Sequence, residues 1–270
     1  MPRRHAAALM AALLCAACAP RVRLPPAATP SDRTVTLHSH SLRLHLANPH
    51  APAGLPLIIF ATGDGGWHRK DVDAWRHLVS WGYPAAGFDA RDYVTHLGPA
   101  SETTTPARLA ADYAVIITTA REALNLASDH PVVLVGVSRG AGLSVVAAGQ
   151  RSIRGELSGV LAIALTREEE YVEGSPRLGR PGHPPRAADM VQIYDYVPTL
   201  GELPLAVVQS THDNYLPAAA ARALFGPDTA HRRFEAVEAR NHSFAGARDD
   251  LYRAMAGSLE WIDSQITGRR

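Results

Sequence analysis

Residues 132–150 read VVLVGVSRGAGLSVVAAGQ, and three kinds of segment follow one another within them. Val132-Val133-Leu134-Val135 is a continuous apolar run, the pattern of a parallel strand buried on both faces. Gly136-Val137-Ser138-Arg139-Gly140 comes next and reads as a sharp strand-to-helix turn. From Arg139 to Gln150 the chain is rich in small residues and suits a helix packed closely on the strands. A G-x-S-x-G set between strand and helix is far more specific than the five residues alone. Such a turn holds its serine in a strained backbone conformation, and its glycines avoid the collisions that side chains would make there. The turn lifts Oγ above the sheet edge, and the helix N-terminus points amides at developing negative charge.

The same alternation runs through most of the chain. Strands are expected at Leu57–Phe60, Pro84–Phe88, Val160–Leu165, Leu205–Val208 and Phe234–Val237. Asp71–Trp81 carries Val72, Trp75, Leu78 and Val79 on one helical face. Thr105 caps and Pro106 starts a helix striped by Leu109, Tyr113, Ile116, Ile117, Ala120 and Leu124. Pro217 opens a helix to Phe225, and Leu251, Met255, Leu259 and Ile262 stripe the last one. Ahead of all these, Thr34–Leu46 alternates with period two, which predicts an antiparallel hairpin turning near Ser39–Ser41. Its His38, His40 and His45 read as solvated side chains on an exposed strand face rather than metal ligands. The expected architecture is α/β: a mostly parallel central sheet with helices on both faces, opened by the N-terminal hairpin. Residues 172–188, with four prolines and three glycines, interrupt the alternation as a loop insertion, a lid or substrate rim.

Composition bounds the rest. The chain has 270 residues, 46% of them hydrophobic and 20% charged, which suits one large domain with a single core. Lys and Arg number 27 against 26 Asp and Glu, so no basic excess argues for nucleic acid and no acidic tail for disorder. Arg3 and Arg4 precede an apolar run from Ala6 to Ala17, too short to span a bilayer and laid out like a secretory signal peptide. Cys15-Ala16-Ala17-Cys18 resembles a lipoprotein box, which would make residues 1–18 the leader and Cys18 the lipidated start of the mature chain. Plain secretion is the alternative. The proline-rich residues 19–32 read as a tether and 33–270 as the domain. The expected location is the periplasm, at a membrane surface. Both cysteines fall in the leader, so the mature domain would hold no disulfide.

A serine is a weak nucleophile until a base takes its proton. His242 lies in Arg240-Asn241-His242-Ser243-Phe244, after the Phe234–Val237 strand, where a loop can reach the nucleophile. His231 precedes that strand and should sit at the wrong end; His212 is the other alternative. Asp213, in Ser210-Thr211-His212-Asp213-Asn214, follows the Leu205–Val208 strand and could orient His242. Capping the Pro217 helix is its other reading. The order Ser138, Asp213, His242 is that of the α/β-hydrolase fold. Two amides are needed for an oxyanion: Arg139 N–H directly after the serine, and Asp64 N–H in Thr62-Gly63-Asp64-Gly65-Gly66-Trp67. A phosphate-binding loop would end in G-K-[ST], which is missing. No cofactor or metal is expected.

These residues resemble a known group. Gly63-Asp64-Gly65-Gly66-Trp67, Thr104-Thr105-Pro106-Ala107-Arg108, Gly136–Gly140, Asp213 and His242 look like the bacterial virulence protein domain of the AcvB/VirJ family, over roughly residues 55–265. The elbow departs from that family in Arg139 and Gly142. The resemblance implies an envelope protein with Ser138, Asp213 and His242 as a triad, and a carboxylic ester as substrate, with aminoacyl-phosphatidylglycerol a specific option. A non-catalytic envelope accessory, a serine peptidase and an acyltransferase are the alternatives. Trp67 and Glu168 are candidate substrate contacts, the latter for a cationic aminoacyl group; an acidic surface turn is the other reading of Glu168-Glu169-Glu170.

Overall fold

A computed structural model describes residues 30–37, 40–49, 54–96, 105–170 and 190–267. The 1–18 leader with Cys18, most of the 19–32 tether and the 172–188 insertion lie outside them.

Strands β1 (Ser31–Thr36), β2 (Ser41–Ala47), β3 (Leu57–Ala61), β4 (Ala85–Phe88), β5 (Val132–Val137), β6 (Leu157–Ile163), β9 (Leu205–Ser210) and β10 (Arg232–Val237) form one sheet in the order β1-β2-β4-β3-β5-β6-β9-β10. β1 and β2 make the expected antiparallel hairpin, β2 runs antiparallel to β4, and the remaining six strands are parallel. β1 begins at Ser31, two residues inside the stretch expected as tether, because Ser31 and Asp32 pair with Leu46 and His45. A separate two-stranded pair, β7 (Glu168–Glu170) with β8 (Met190–Gln192), stands beside the sheet.

Side chains alternate across the parallel strands, and the helices sort accordingly. Leu57, Ile59, Val132 and Leu134 pack with α2 (Ala90–Thr95), α3 (Pro106–Ala123), α4 (Arg139–Ala148) and α6 (Ala218–Phe225) on one face. Ile58, Phe60, Val133 and Val135 pack with α1 (Arg69–Ser80) and α7 (Arg248–Thr267) on the other. A short helix, α5 (Arg151–Arg154), follows α4. The Thr105 hydroxyl accepts the Arg108 amide at 3.2 Å and caps α3, with Pro106 in its first turn, where a missing N–H costs nothing.

Every residue of α4 is buried. Its small side chains permit that depth: a Cβ on Gly140 would overlap the carbonyl oxygens of Ala61 and Thr62, and one on Gly136 the carbonyl of Gly140. The Ser138 amide donates to Ile163 O at 2.8 Å, and the Gly140 amide to Thr62 O at 3.1 Å. The elbow is thereby fastened to β6 on one side and to the loop after β3 on the other.

Candidate active site

Ser138 adopts φ 52°, ψ −116°, a region that costs a non-glycine residue about 1–3 kcal/mol and persists only where its surroundings over-determine it. The strain presents Oγ at the carboxyl edge of the sheet. There Oγ lies 2.8 Å from His242 Nε2. His242 Nδ1 lies 2.7 Å from Asp213 Oδ2, so an Nδ1–H would donate to the carboxylate and leave Nε2 free to accept from the serine. Ser138, Asp213 and His242 come from three separate strand-to-helix loops, after β5, β9 and β10, and meet at one point.

Asp213 faces His242 but does not cap α6, whose N-cap is Pro217 with no side-chain cap. Asp213 Oδ1 accepts the Tyr215 amide at 2.8 Å and the Leu216 amide at 3.2 Å, closing the turn ahead of Pro217. Its Oδ2 accepts from Gln209 Nε2 at 3.0 Å and faces the imidazole. Two oxygens allow two jobs. His212 instead turns Nδ1 to Ala239 O, and His231 sits at the start of β10, the opposite end of the sheet.

The loop 62–67 borders Ser138. A Cβ on Gly63 would stand 3.4 Å from Ser138 Cβ. Two half-buried carboxylates shape this loop. Asp71, in the first turn of α1, accepts the Gly63 amide at 2.9 Å. Burial pushes the Asp71 carboxyl above its usual range, against that amide, which favours its charged form. Asp89 accepts the Trp67 amide at 2.8 Å and caps α2 through the Asp92 amide. Gly66 lies at φ 72° with Asp89 Oδ2 only 2.5 Å from where a Cβ would be, so both conformation and space require glycine. Asp64 and Ser138 line the same cleft, and Arg139 follows the serine directly in the chain.

Trp67 does not line the cleft, contrary to its expected place at the substrate. Its ring stacks on His45 at 4.0 Å and meets Trp75 and Phe60 edge-on. It occupies the slot that Gly87 leaves in β4, where a Cβ would come within 2.5 Å of it. Gly87→Ala should therefore lower stability by about 1–3 kcal/mol through overpacking. Urea unfolding checks this; an unchanged midpoint would mean that the indole yields freely.

Glu168 does line the cleft, exposed, and accepts from Gln192 Nε2 at 2.7 Å. The run Glu168–Glu170 is a strand rather than a turn, and Glu169 is buried. Its carboxylate accepts from Thr166 Oγ1 at 2.6 Å and pairs with Arg139 Nη1 at 3.1 Å. Burial raises the Glu169 carboxyl, while Arg139 and the Thr166 hydroxyl pull it the other way.

Among the described residues, the cleft above Ser138 has a volume of about 1490 Å³ and runs between α1 and α7. Ala74, Phe244, Leu251 and Met255 supply apolar surface, and Lys70, Arg167 and Arg248 stand at its rim. That exceeds the roughly 300–1,000 Å³ of ordinary small-molecule sites. Tyr215, 70% exposed, presents an edge-to-face contact to His242 at 4.8 Å between ring centroids. No periodic pattern marks this residue; its place beside Asp213 in a post-strand loop is the signal that could have found it.

Comparison with known proteins adds a family and a fold. Residues 56–194 match the family model of the bacterial virulence protein VirJ. No curated protein matches the chain. Solved structures of the same fold include Est1E from Butyrivibrio proteoclasticus, with 14% identity, TM-score 0.61, and coverage of 87% of this chain and 99% of that one. XC6422 from Xanthomonas campestris, an α/β serine hydrolase without a lid, has 16% identity, TM-score 0.57, and coverage of 88% and 96%. A membrane phospholipase A described as a bacterial virulence factor has 12% identity, TM-score 0.60, and coverage of 86% of both chains. At these identities the likeness is one of fold, the α/β-hydrolase fold.

Proposed function

The chain belongs to the VirJ family of bacterial virulence proteins, and from that membership and the geometry of its site we propose that it is a serine hydrolase cleaving carboxylic esters through an acyl-serine intermediate. The observation that carries this reading is the hydrogen-bonded line from Ser138 Oγ through the His242 imidazole to the buried Asp213 carboxylate. His242 takes the Ser138 proton as Oγ attacks the ester carbonyl, and Asp213 stabilises the imidazolium that forms. The amides of Asp64 and Arg139 donate hydrogen bonds to the developing oxyanion. The alcohol leaves with the proton from His242, and water, activated by the same imidazole, releases the acid. Fold neighbours named as esterases and as a phospholipase support an ester over a peptide bond. A volume of about 1490 Å³ with an apolar bed suits a lipid ester, including an aminoacyl-phosphatidylglycerol.

A panel of short-chain esters, lysyl- and alanyl-phosphatidylglycerol in vesicles, and peptides tests the reading, together with a fluorophosphonate probe. Ester turnover and labelling at Ser138 are expected. A protein that cleaves no ester and resists the probe would sink it.

We further infer that the enzyme works in the periplasm on a membrane surface, held by a lipid on Cys18. Cells fed an alkyne-palmitate should label the natural chain and not a Cys18→Ser variant; label kept in the variant rejects that anchor.

A further inference from the structure

Arg139 directly follows Ser138 and starts α4. A cation there opposes the positive end of the helix dipole, and its side chain is only 5% exposed. Two carboxylates answer that cost from different parts of the chain. Nε donates to Asp64 Oδ1, and Nη1 pairs with Glu169 Oε2 at 3.1 Å. Asp64 belongs to the loop after β3, and Glu169 to β7 on the other border of the cleft. The planar guanidinium can serve both in one fixed geometry, which a lysine ammonium cannot.

We propose that the Arg139 side chain is a positioning residue: through Asp64 it holds the oxyanion-binding loop beside Ser138, and through Glu169 it ties that loop to the β7–β8 rim. The inference rests on the esterase reading, because the amide so held is the one assigned to the oxyanion. The Asp64 side chain thus fixes the place of its own main-chain N–H. Removing an oxyanion donor outright costs about 100- to 1,000-fold in turnover. Loosening one costs less, on the order of 10- to 100-fold in kcat. Ground-state binding does not use the oxyanion contact, so KM stays within about 2-fold.

Three variants of the full chain, Asp64→Asn, Arg139→Lys and Arg139→Gln, test this. The readouts are kcat and KM on a short-chain ester, the affinity of phenylboronic acid, which forms a tetrahedral adduct on the serine, and the unfolding midpoint. Asp64→Asn is expected to lower kcat about 10- to 100-fold and to weaken phenylboronate in step, with KM nearly unchanged. Arg139→Lys should fall between the natural enzyme and Arg139→Gln in both. Arg139→Gln leaves Glu169 without its buried cation and risks misfolding; Asp64, with half its side chain exposed, carries no such risk. Wild-type kcat and phenylboronate affinity in Asp64→Asn, with or without a lower midpoint, would overturn the inference alone. A natural protein that neither turns over ester nor binds phenylboronate overturns the esterase reading and this inference with it.

Discussion

Ser138→Ala should lose about a million-fold in ester turnover, the loss measured when the nucleophile of a well-studied triad hydrolase is removed. The change deletes one oxygen. That oxygen is the atom 2.8 Å from His242 Nε2, the partner from which the imidazole would take the proton. The fold should hardly notice. Alanine keeps the Cβ, and the elbow's attachments to Ile163 and Thr62 run through backbone amides and carbonyls. The lost hydrogen bond is worth about 0.5–1.5 kcal/mol. A residual acceleration of about 1,000- to 10,000-fold over water should persist, because the oxyanion amides remain. Steady-state assay of the variant, with its unfolding midpoint alongside, checks both halves. A variant keeping even a tenth of the natural rate would remove Ser138 from the chemistry.

Asp213→Asn should cost about 10,000-fold with the fold intact. Four donors surround this carboxylate: the Tyr215 and Leu216 amides on Oδ1, and Gln209 Nε2 with His242 Nδ1 on Oδ2. Asparagine has the same shape. Its single oxygen can stay with the two amides, which turns its NH2 toward His242 Nδ1 and Gln209. A donor then faces a donor. The imidazole responds by moving its proton to Nε2, the nitrogen that must accept from Ser138, and the base is lost. kcat/KM and the rate of fluorophosphonate labelling should fall together while KM moves little. Near-natural labelling of Asp213→Asn would mean that the carboxylate does not set the tautomer.

The strands and long helices were legible because each repeats a local pattern often enough to be recognised. Val132–Val135 and Leu57–Phe60 are fully apolar, and both lie in the middle of the parallel sheet. The α3 stripe spans four turns behind a clear cap. The three site residues were legible through chain order: each follows a strand that ends on the same edge. What escaped was short or relational. Ala90–Thr95 has too few residues to show a period. Asp71 and Asp89 hold the 62–67 loop through amides 8 and 22 positions away, and no local pattern encodes such a contact. Trp67 beside a glycine-rich turn resembles a ligand contact. The slot above Gly87 that it fills exists only once β4 lies between β2 and β3. The acidic run at 168–170 hid its pairing with Met190–Gln192 for the same reason.

The crowding around the elbow also bears on how such a protein can diverge. Gly136 and Gly140 have no volume to gain, and residue 139 is bound on two sides. Inherited variation at the heart of the molecule is therefore close to forbidden. The β7–β8 pair, by contrast, sets residues 170 and 190 side by side, with Glu168 and Met190 on the border of the cleft. Change is accommodated more readily at exposed positions of that pair, such as Glu168 and Gln192, than in the elbow beside it.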